Sequence, residues 1–273
     1  MIRNIKLLLR YIRFNLKAGD AYDIHSPFIY NLYQNVLTEN RTQKKNSIYN
    51  VVENIRKELL KDNSIIKTTS LGAGSKSEQF TTVSKRIKAI SQPAKSGRSL
   101  SRLTKYFKPG NIIELGTAGG IGTMYLSLGN PSSQIITIEG DSEIAEIAKN
   151  NFEKAQLNNI KVVVGTFKEC LEKTLQEVKK CDLLFIDGDH SKEGTLCYLL
   201  TALPYLHENS IVVVHDIHWS EDMENAWQEI CNDARFPVTI DIFHYGIIIF
   251  SSKLSKQNFV LKINNIYKKF ISL

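Results

Sequence analysis

No apolar run in the sequence approaches the roughly 20 residues needed to cross a bilayer, which excludes a spanning helix. A secretory signal is missing too. MIRNIKLLLRYIRF interleaves Arg3, Lys6, Arg10 and Arg13 with its apolar residues, whereas a signal peptide keeps its charge apart from an unbroken apolar block. A cytoplasmic location is expected from these two absences. Cysteine is sparse: Cys170, Cys181, Cys197 and Cys231 form no C-x-x-C pair and no histidine stands at zinc-finger spacing from them. In their apolar or helical contexts they read as buried free thiols, neither disulfides nor zinc ligands.

Acidic residues are scarce in the first part of the chain. Residues 1–110 hold 21 Lys and Arg against 7 Asp and Glu, and residues 111–273 hold 14 against 21, which together give the net charge of +7. A basic half beside an acidic half implies either an anionic partner for the first or electrostatic docking between the two. Otherwise composition is that of a soluble globular protein, with 42% hydrophobic and 23% charged residues. At 273 residues there is room for one elaborated domain or two small ones.

The most informative stretch is Asn111 to Gly122, NIIELGTAGGIG, followed by the apolar run QIITIEGD with its acid Glu139. Two buried strands, each releasing the chain at a chemically marked end, suit the nucleotide side of a doubly wound sheet. A dinucleotide fingerprint would need G-x-G-x-x-G after the first strand. Here Gly116, Gly119, Gly120 and Gly122 give E-x-G-x-x-x-G from Glu114, and Ala118 takes the place of the second glycine. The loop has no Lys or Arg for a phosphate. Glycines let a ligand approach the backbone, Glu114 can meet an ammonium, and Glu139 can accept both hydroxyls of a ribose. A cationic ribose-containing ligand with an amino-acid tail meets those demands, and S-adenosylmethionine is such a ligand.

ELGTAGGIGTMYLSL with ITIEGD resembles the first two motifs of the class I S-adenosylmethionine-dependent methyltransferases, and the resemblance runs from about Ser96 to Ser251. It implies that Glu114, Gly116 and Gly120 lie near the methionine moiety, that Gly122 belongs to the same cofactor-binding turn and that Glu139 binds the ribose. It also implies an α/β fold: a seven-stranded, doubly wound Rossmann-like sheet in the order 3-2-1-4-5-7-6 with strand 7 antiparallel. The pattern agrees, with strands expected at Asn111 to Leu115, Gln134 to Glu139, Ile160 to Val164, Asp182 to Ile186 and Ser210 to His215. After a helix carrying Met223, Ala226, Trp227 and Ile230, PVTIDIF and YGIIIF are separated only by His244 and read as a hairpin.

Three regions are expected: an N-terminal helical cap over 1–95, a cofactor-binding domain over 96–252 and a basic tail over 253–273. Ser26–Pro27 is a good start for a helix through FIYNLYQNVL. Asn50 to Leu60 and Thr82 to Ile90 are further helix candidates, and SLGAGSKSEQ reads as a loop or substrate lid. The cap is expected to close over the edge where strands four and five end. In the catechol and caffeoyl-coenzyme A O-methyltransferase branch the helix before strand one contacts the cofactor, which makes Gly97 and Ser99 candidates. Thr166, through its amide, and Phe167, by stacking, are candidates for the adenine pocket.

Strand four ends FIDGDHSKEG and strand five ends VVVHDIHWSE. Both open onto one edge, so Asp187, Asp189 and His190 are expected near Asp216 and His218. Methyl transfer to a hydroxyl needs an in-line nucleophile and a way to remove its proton. By resemblance to the metal-assisted O-methyltransferases, Asp187 and Asp216 fall on two aspartates that hold a divalent ion, Mg or Mn. Ile217 falls where the family has an asparagine, and isoleucine cannot ligate a metal. His190 falls on the catalytic lysine and is the leading base, with His218 beside it. Asp189 reads instead as a cap of the next helix.

The expectation is an S-adenosylmethionine-dependent methyltransferase acting on an oxygen of a small molecule, with anionic acceptors among the candidates. Exposed apolar residues in the first helix make a homodimer plausible. Two alternatives stand beside it. One is a methyltransferase guided by its basic half to RNA or protein, although neither an aromatic-basic RNA module nor an Asn-Pro-Pro-Tyr motif is present. The other is a protein that binds a membrane surface or a partner through Met1 to Lys17.

Overall fold

The computed structural model describes residues 2–39, 47–70, 77–251 and 253–263. The chain begins with α1 (Ile2–Lys17), α2 (Pro27–Leu32), which runs on into a π turn over Tyr33–Leu37, and, in the second described stretch, α3 (Asn50–Leu59). Then come β1 (Ile65–Ser70), β2 (Ser77–Thr82), α4 (Val83–Ile90) and α5 (Ala94–Phe107). Ser26 caps α2 by accepting from Ile29 N, with Pro27 in the first turn. The first region, expected to be mostly helical, also contains two strands, β1 and β2, an antiparallel pair with Ile66 opposite Thr81. In β1 Ile66 and Thr68 are buried and Lys67 is exposed, a two-residue alternation too short to stand out among helical patterns. The ends of SLGAGSKSEQ lie in these strands, and its residues 71–76 are outside the described residues.

From Asn111 strand and helix alternate: β3 (Asn111–Leu115), α6 (Ile121–Gly129), β4 (Gln134–Glu139), α7 (Ser142–Lys154), β5 (Ile160–Val164) and α8 (Phe167–Val178). They continue with β6 (Leu183–Ile186), α9 (Lys192–Ala202), β7 (Ile211–His215), α10 (Glu221–Asn232), β8 (Val238–Asp241), β9 (Tyr245–Ile249) and β10 (Gln257–Val260). The main sheet runs β10-β8-β9-β7-β6-β3-β4-β5, and β9 is antiparallel to both its neighbours. Among the described residues it has eight strands, not the expected seven. The addition is β10, which lies within the stretch read as a basic tail and pairs in parallel with β8, Phe259 opposite Ile240. Four half-polar residues, QNFV, gave it no visible pattern. Gly19 N donates to Val260 O at 2.9 Å and Lys262 N to Gly19 O at 3.0 Å, so the two ends of the described chain meet at this edge.

Both faces of the sheet are covered, which is why its inner strands β6, β7 and β9 are almost wholly apolar. Leu32, Tyr33, Leu100 and Leu103 pack with Ile112, Phe185 and Val213 on one face. On the other, Leu171, Leu199 and Trp227 pack with Ile113, Leu184 and Val212. The cap does not close as a unit over the ends of strands four and five. Val52, Ile55, Ile66, Val83 and Ile87 share a core with Tyr125 of α6 and Phe152 of α7, so α3, β1 and α4 sit over the turn after β3. Toward the other half, α2 and the π turn after it pack on β6 and β7, and α1 lies beyond them, where Phe14 meets the Phe243 ring at 5.4 Å and Arg10 Nε pairs with Glu224 Oε2 at 2.9 Å. All four cysteines are free; Cys181 is buried, but Cys197 is exposed, against the expectation of four buried thiols.

Candidate functional site

The turn after β3 is shaped by glycine at two positions. Gly116 has φ of +105° and a side chain there would collide with the Asp187 carbonyl; Gly120 has φ of +78° and faces the Phe152 ring. Neither can carry a Cβ without moving its neighbour. Between them Ala118 also has positive φ, and its N–H donates to Glu139 Oε2 at 2.8 Å. Glu139 Oε1 accepts from Asp141 N at 3.0 Å. The acid ending β4 is therefore tied to the turn after β3. Burial raises its pKa, offset in part by those two amides and by nearby Arg86.

Glu114 lies beneath the turn and is fully buried. Its Oε2 accepts from Thr123 Oγ1 at 2.5 Å and Thr137 Oγ1 at 2.6 Å. Burial pushes its pKa up to about 8, with the two hydroxyls pulling the other way and the charges of Asp187 and Glu139 adding to the rise. At neutral pH this acid holds its proton. Gly122, one turn on, stands against Glu114 Oε1 and Gln92.

The ends of β6 and β7 carry the second half of the site. His215, the last residue of β7, brings Nδ1 to 2.7 Å from Asp187 Oδ1 and 3.6 Å from Asp216 Oδ2. The contact is ionic, without an aligned ring hydrogen bond. Burial opposes the His215 charge, but the two aspartates prevail and lift its pKa to about 9. Asp187 is likewise resisted by burial and is held below the usual carboxylate range by His215 and His190. Gln92, between α4 and α5, donates through Nε2 to Asp187 Oδ2 and accepts from Tyr245 OH at 2.9 Å. Tyr245, opposite His215 in the β7–β9 register, also bonds the Ser96 side chain.

His190 joins this group, its ring 6.4 Å from that of His215. His218 does not. Its Nδ1 is 2.8 Å from Glu224 Oε1, its Nε2 is 2.9 Å from Asp241 Oδ2, and it stacks on Phe243. That locks the ring between α10 and the end of β8, so the expected single cluster with His218 is corrected to Asp187, His190, His215 and Asp216. Asp189 does not cap α9; Ser191 does, and Asp189 Oδ2 accepts from Tyr198 OH at 2.9 Å.

The remaining candidates have local roles. Gly97 is turned to the Tyr125 ring, where a Cβ would collide, and Ser99 Oγ accepts from Arg102 Nη2 at 2.9 Å. The linker before α5 reaches the site through Gln92, and the first turn of α5 through Ser96. Thr166 forms a capping box with Glu169 at the start of α8. Phe167 packs on Gly188 and edge-on to Tyr198 at 5.5 Å, close behind the end of β6.

The donors do not fit the expected Mg or Mn arrangement. Ile217 is fully buried in the core, and both oxygens of Asp187 are taken by His215 and Gln92. Among the described residues no three His, Cys, Asp or Glu are arranged around a common ion position. Sequence reasoning passed over His215, Gln92 and Tyr245. The signal for His215 was a histidine ending an otherwise apolar strand beside Asp216, VVVHD; Gln92 lies in a linker and carried none.

Residues 113–217, from β3 to just past β7, match a family model described as a methyltransferase domain. A catechol O-methyltransferase of Mycobacterium tuberculosis is 31% identical over 130 residues, 47% of this chain and 57% of that protein. Another, of Niastella koreensis, is 28% identical over 132 residues, 47% of this chain and 59% of that one. The chain spans a little over half the length of these two relatives. Among solved structures, the O-methyltransferase TomG of Streptomyces achromogenes in complex with S-adenosylmethionine superposes with a TM-score of 0.53 at 19% identity, over 60% of this chain and 82% of that one. An O-methyltransferase of Bacillus cereus in complex with S-adenosylhomocysteine gives 0.53 at 18% identity, over 80% and 94%. At these identities the likeness shows the fold alone.

Proposed function

We propose that this chain, a class I S-adenosylmethionine-dependent methyltransferase of the catechol O-methyltransferase-like branch, methylates an oxygen of a small molecule in the cytoplasm. The observation that carries the reading is the division of one sheet edge into two halves. One half is the Gly116–Gly120 turn bound through Ala118 to Glu139; the other is the Asp187, His215 and Asp216 group.

Glu139 would accept the ribose hydroxyls, with the Gly116–Gly120 backbone and Glu114 along the methionine moiety and Phe167 against the base. S-adenosylmethionine supplies an electrophilic methyl group on a sulfonium. The acceptor hydroxyl must lose its proton, and His190, half-exposed beside His215, is the base we assign. The His215 imidazolium faces the negative charge that develops on that oxygen. Asp187 and Asp216 hold the imidazolium, and Gln92, itself held by the Tyr245 hydroxyl, holds Asp187. This route uses the chain's own cation and no metal. Anionic acceptors, which the basic first half would attract, are the class to screen first.

Calorimetry with S-adenosylhomocysteine tests the cofactor half: binding is expected, and Glu139→Ala should weaken it by about 1–3 kcal/mol, the loss of charge-assisted hydrogen bonds. Label transfer from S-adenosylmethionine to a panel of catechols and related phenols tests the acceptor half. Absence of cofactor binding by the parent protein would overturn the reading.

A further inference from the structure

We propose that α1 is a surface anchor whose outward face lies in the headgroup layer of an anionic phospholipid bilayer. The inward stripe of the helix, Leu7, Tyr11, Phe14 and Ala18, is packed with Phe243 and Val260. On the opposite side Ile5, Leu8, Leu9, Ile12 and Leu16 recur at helical spacing, and all five are exposed, Leu16 by 83%. Single exposed leucines are ordinary on a protein surface, whereas five in register on one helix make a patch that calls for a partner. Tyr22, 94% exposed just after the helix, adds an aromatic of the type that settles at a bilayer interface.

Charge identifies the occupant. Lys6, Arg13 and Lys17 are exposed along one flank of the apolar stripe, and α1 contains no acid. A second copy docked face to face would oppose these cations to their equivalents. A nucleic acid would reward the cations and leave the five aliphatic side chains in water. An anionic bilayer takes both the apolar stripe and the positive flank. No helix among the described residues is long and apolar enough to span, so the helix would lie in the plane of the surface. It is also preformed and clamped, since Arg10 Nε pairs with Glu224 and Arg10 Nη1 donates to Trp219 O at 3.3 Å. Trp219 N in turn donates to Asp216 O at 2.9 Å, so the docked face adjoins the β7 end of the site.

Flotation of the full chain with phosphatidylcholine vesicles, with and without phosphatidylglycerol, tests the proposal. Binding is expected only to the anionic vesicles and should weaken as salt rises. The double variants Leu9→Ser with Leu16→Ser, and Lys6→Glu with Lys17→Glu, should each reduce it by about tenfold or more. All four positions are exposed, and an unchanged circular dichroism spectrum would show that the fold survives. Equal flotation of parent and variants, or none by the parent, overturns the proposal. So would a concentration-dependent dimer dissolved by the Leu variants, which assigns the face to a second copy, or RNA binding lost only in the charge variants.

Discussion

His215 Nδ1 lies 2.7 Å from Asp187 Oδ1 and 3.6 Å from Asp216 Oδ2, so a buried imidazolium is held by the two aspartates that flank the site. Those are the aspartates that the resemblance assigns to a divalent ion. In this chain they already have a positive partner, supplied by β7 itself, and the position of a third ligand is the buried Ile217. The consequence is chemical as well as structural. On the proposed route, the stabilising charge for an oxygen nucleophile would stand in place before any ligand arrives, which is the condition for electrostatic preorganisation.

Turnover should therefore survive chelator unchanged. His215→Gln should lower kcat by about 10²–10³ with a smaller effect on KM, as removal of a preorganised charge does. In the parent, kcat/KM should fall as pH rises through about 9, where His215 loses its proton. Activity abolished by chelator and restored by Mg or Mn would put an ion where we assign the imidazolium.

Glu114 predicts a pH effect of its own. Its pKa is about 8 in the folded protein against 4.5 for the free side chain, so between those values the folded chain keeps a proton that the unfolded chain has lost. Stability from this group is complete below 4.5 and is lost as pH rises through 8. Denaturant titrations should show the parent losing about 2–5 kcal/mol relative to Glu114→Gln over that window. If the cofactor ammonium meets Glu114, S-adenosylhomocysteine binding near neutral pH should also release a proton, seen as a dependence of calorimetric enthalpy on buffer ionisation. A flat stability difference would mean that Glu114 titrates normally.

The geometry of the turn after β3 and of the acid ending β4 is legible in the sequence because its information is local. Gly116 and Gly120 are glycines for backbone reasons, and Glu139 follows its own strand, so motif and spacing carry the geometry. The other half depends on register. Tyr245 faces His215 because β9 turns back on β7, and Gln92 reaches Asp187 from a linker 95 positions away. His218 shows the limit from the other side: it is three residues from His215, yet the loop turns it to Asp241 and Glu224, which no spacing rule reports. The β1–β2 pair and β10 escaped for a simpler reason, since strands this short carry too few alternations to be distinguished from helix or tail.

His218 also predicts how α1 is held. Burial opposes its charge, but Asp241 and Glu224 raise its pKa to about 9, above the 6.5 of a free histidine. Glu224 is shared with Arg10 of α1, so the protonated ring, the carboxylates and the helix form one ionic clamp. A histidine with a raised folded pKa contributes stability that is complete below 6.5 and is lost as pH rises through 9. The parent should therefore exceed His218→Gln in stability by about 2–3 kcal/mol in mildly acidic buffer, a gap that closes on alkaline titration. Limited proteolysis should release α1 more readily at high pH in the parent, and at all pH values in the variant. A stability gap that does not change with pH would mean that Phe14 and Phe243 hold the helix without the clamp.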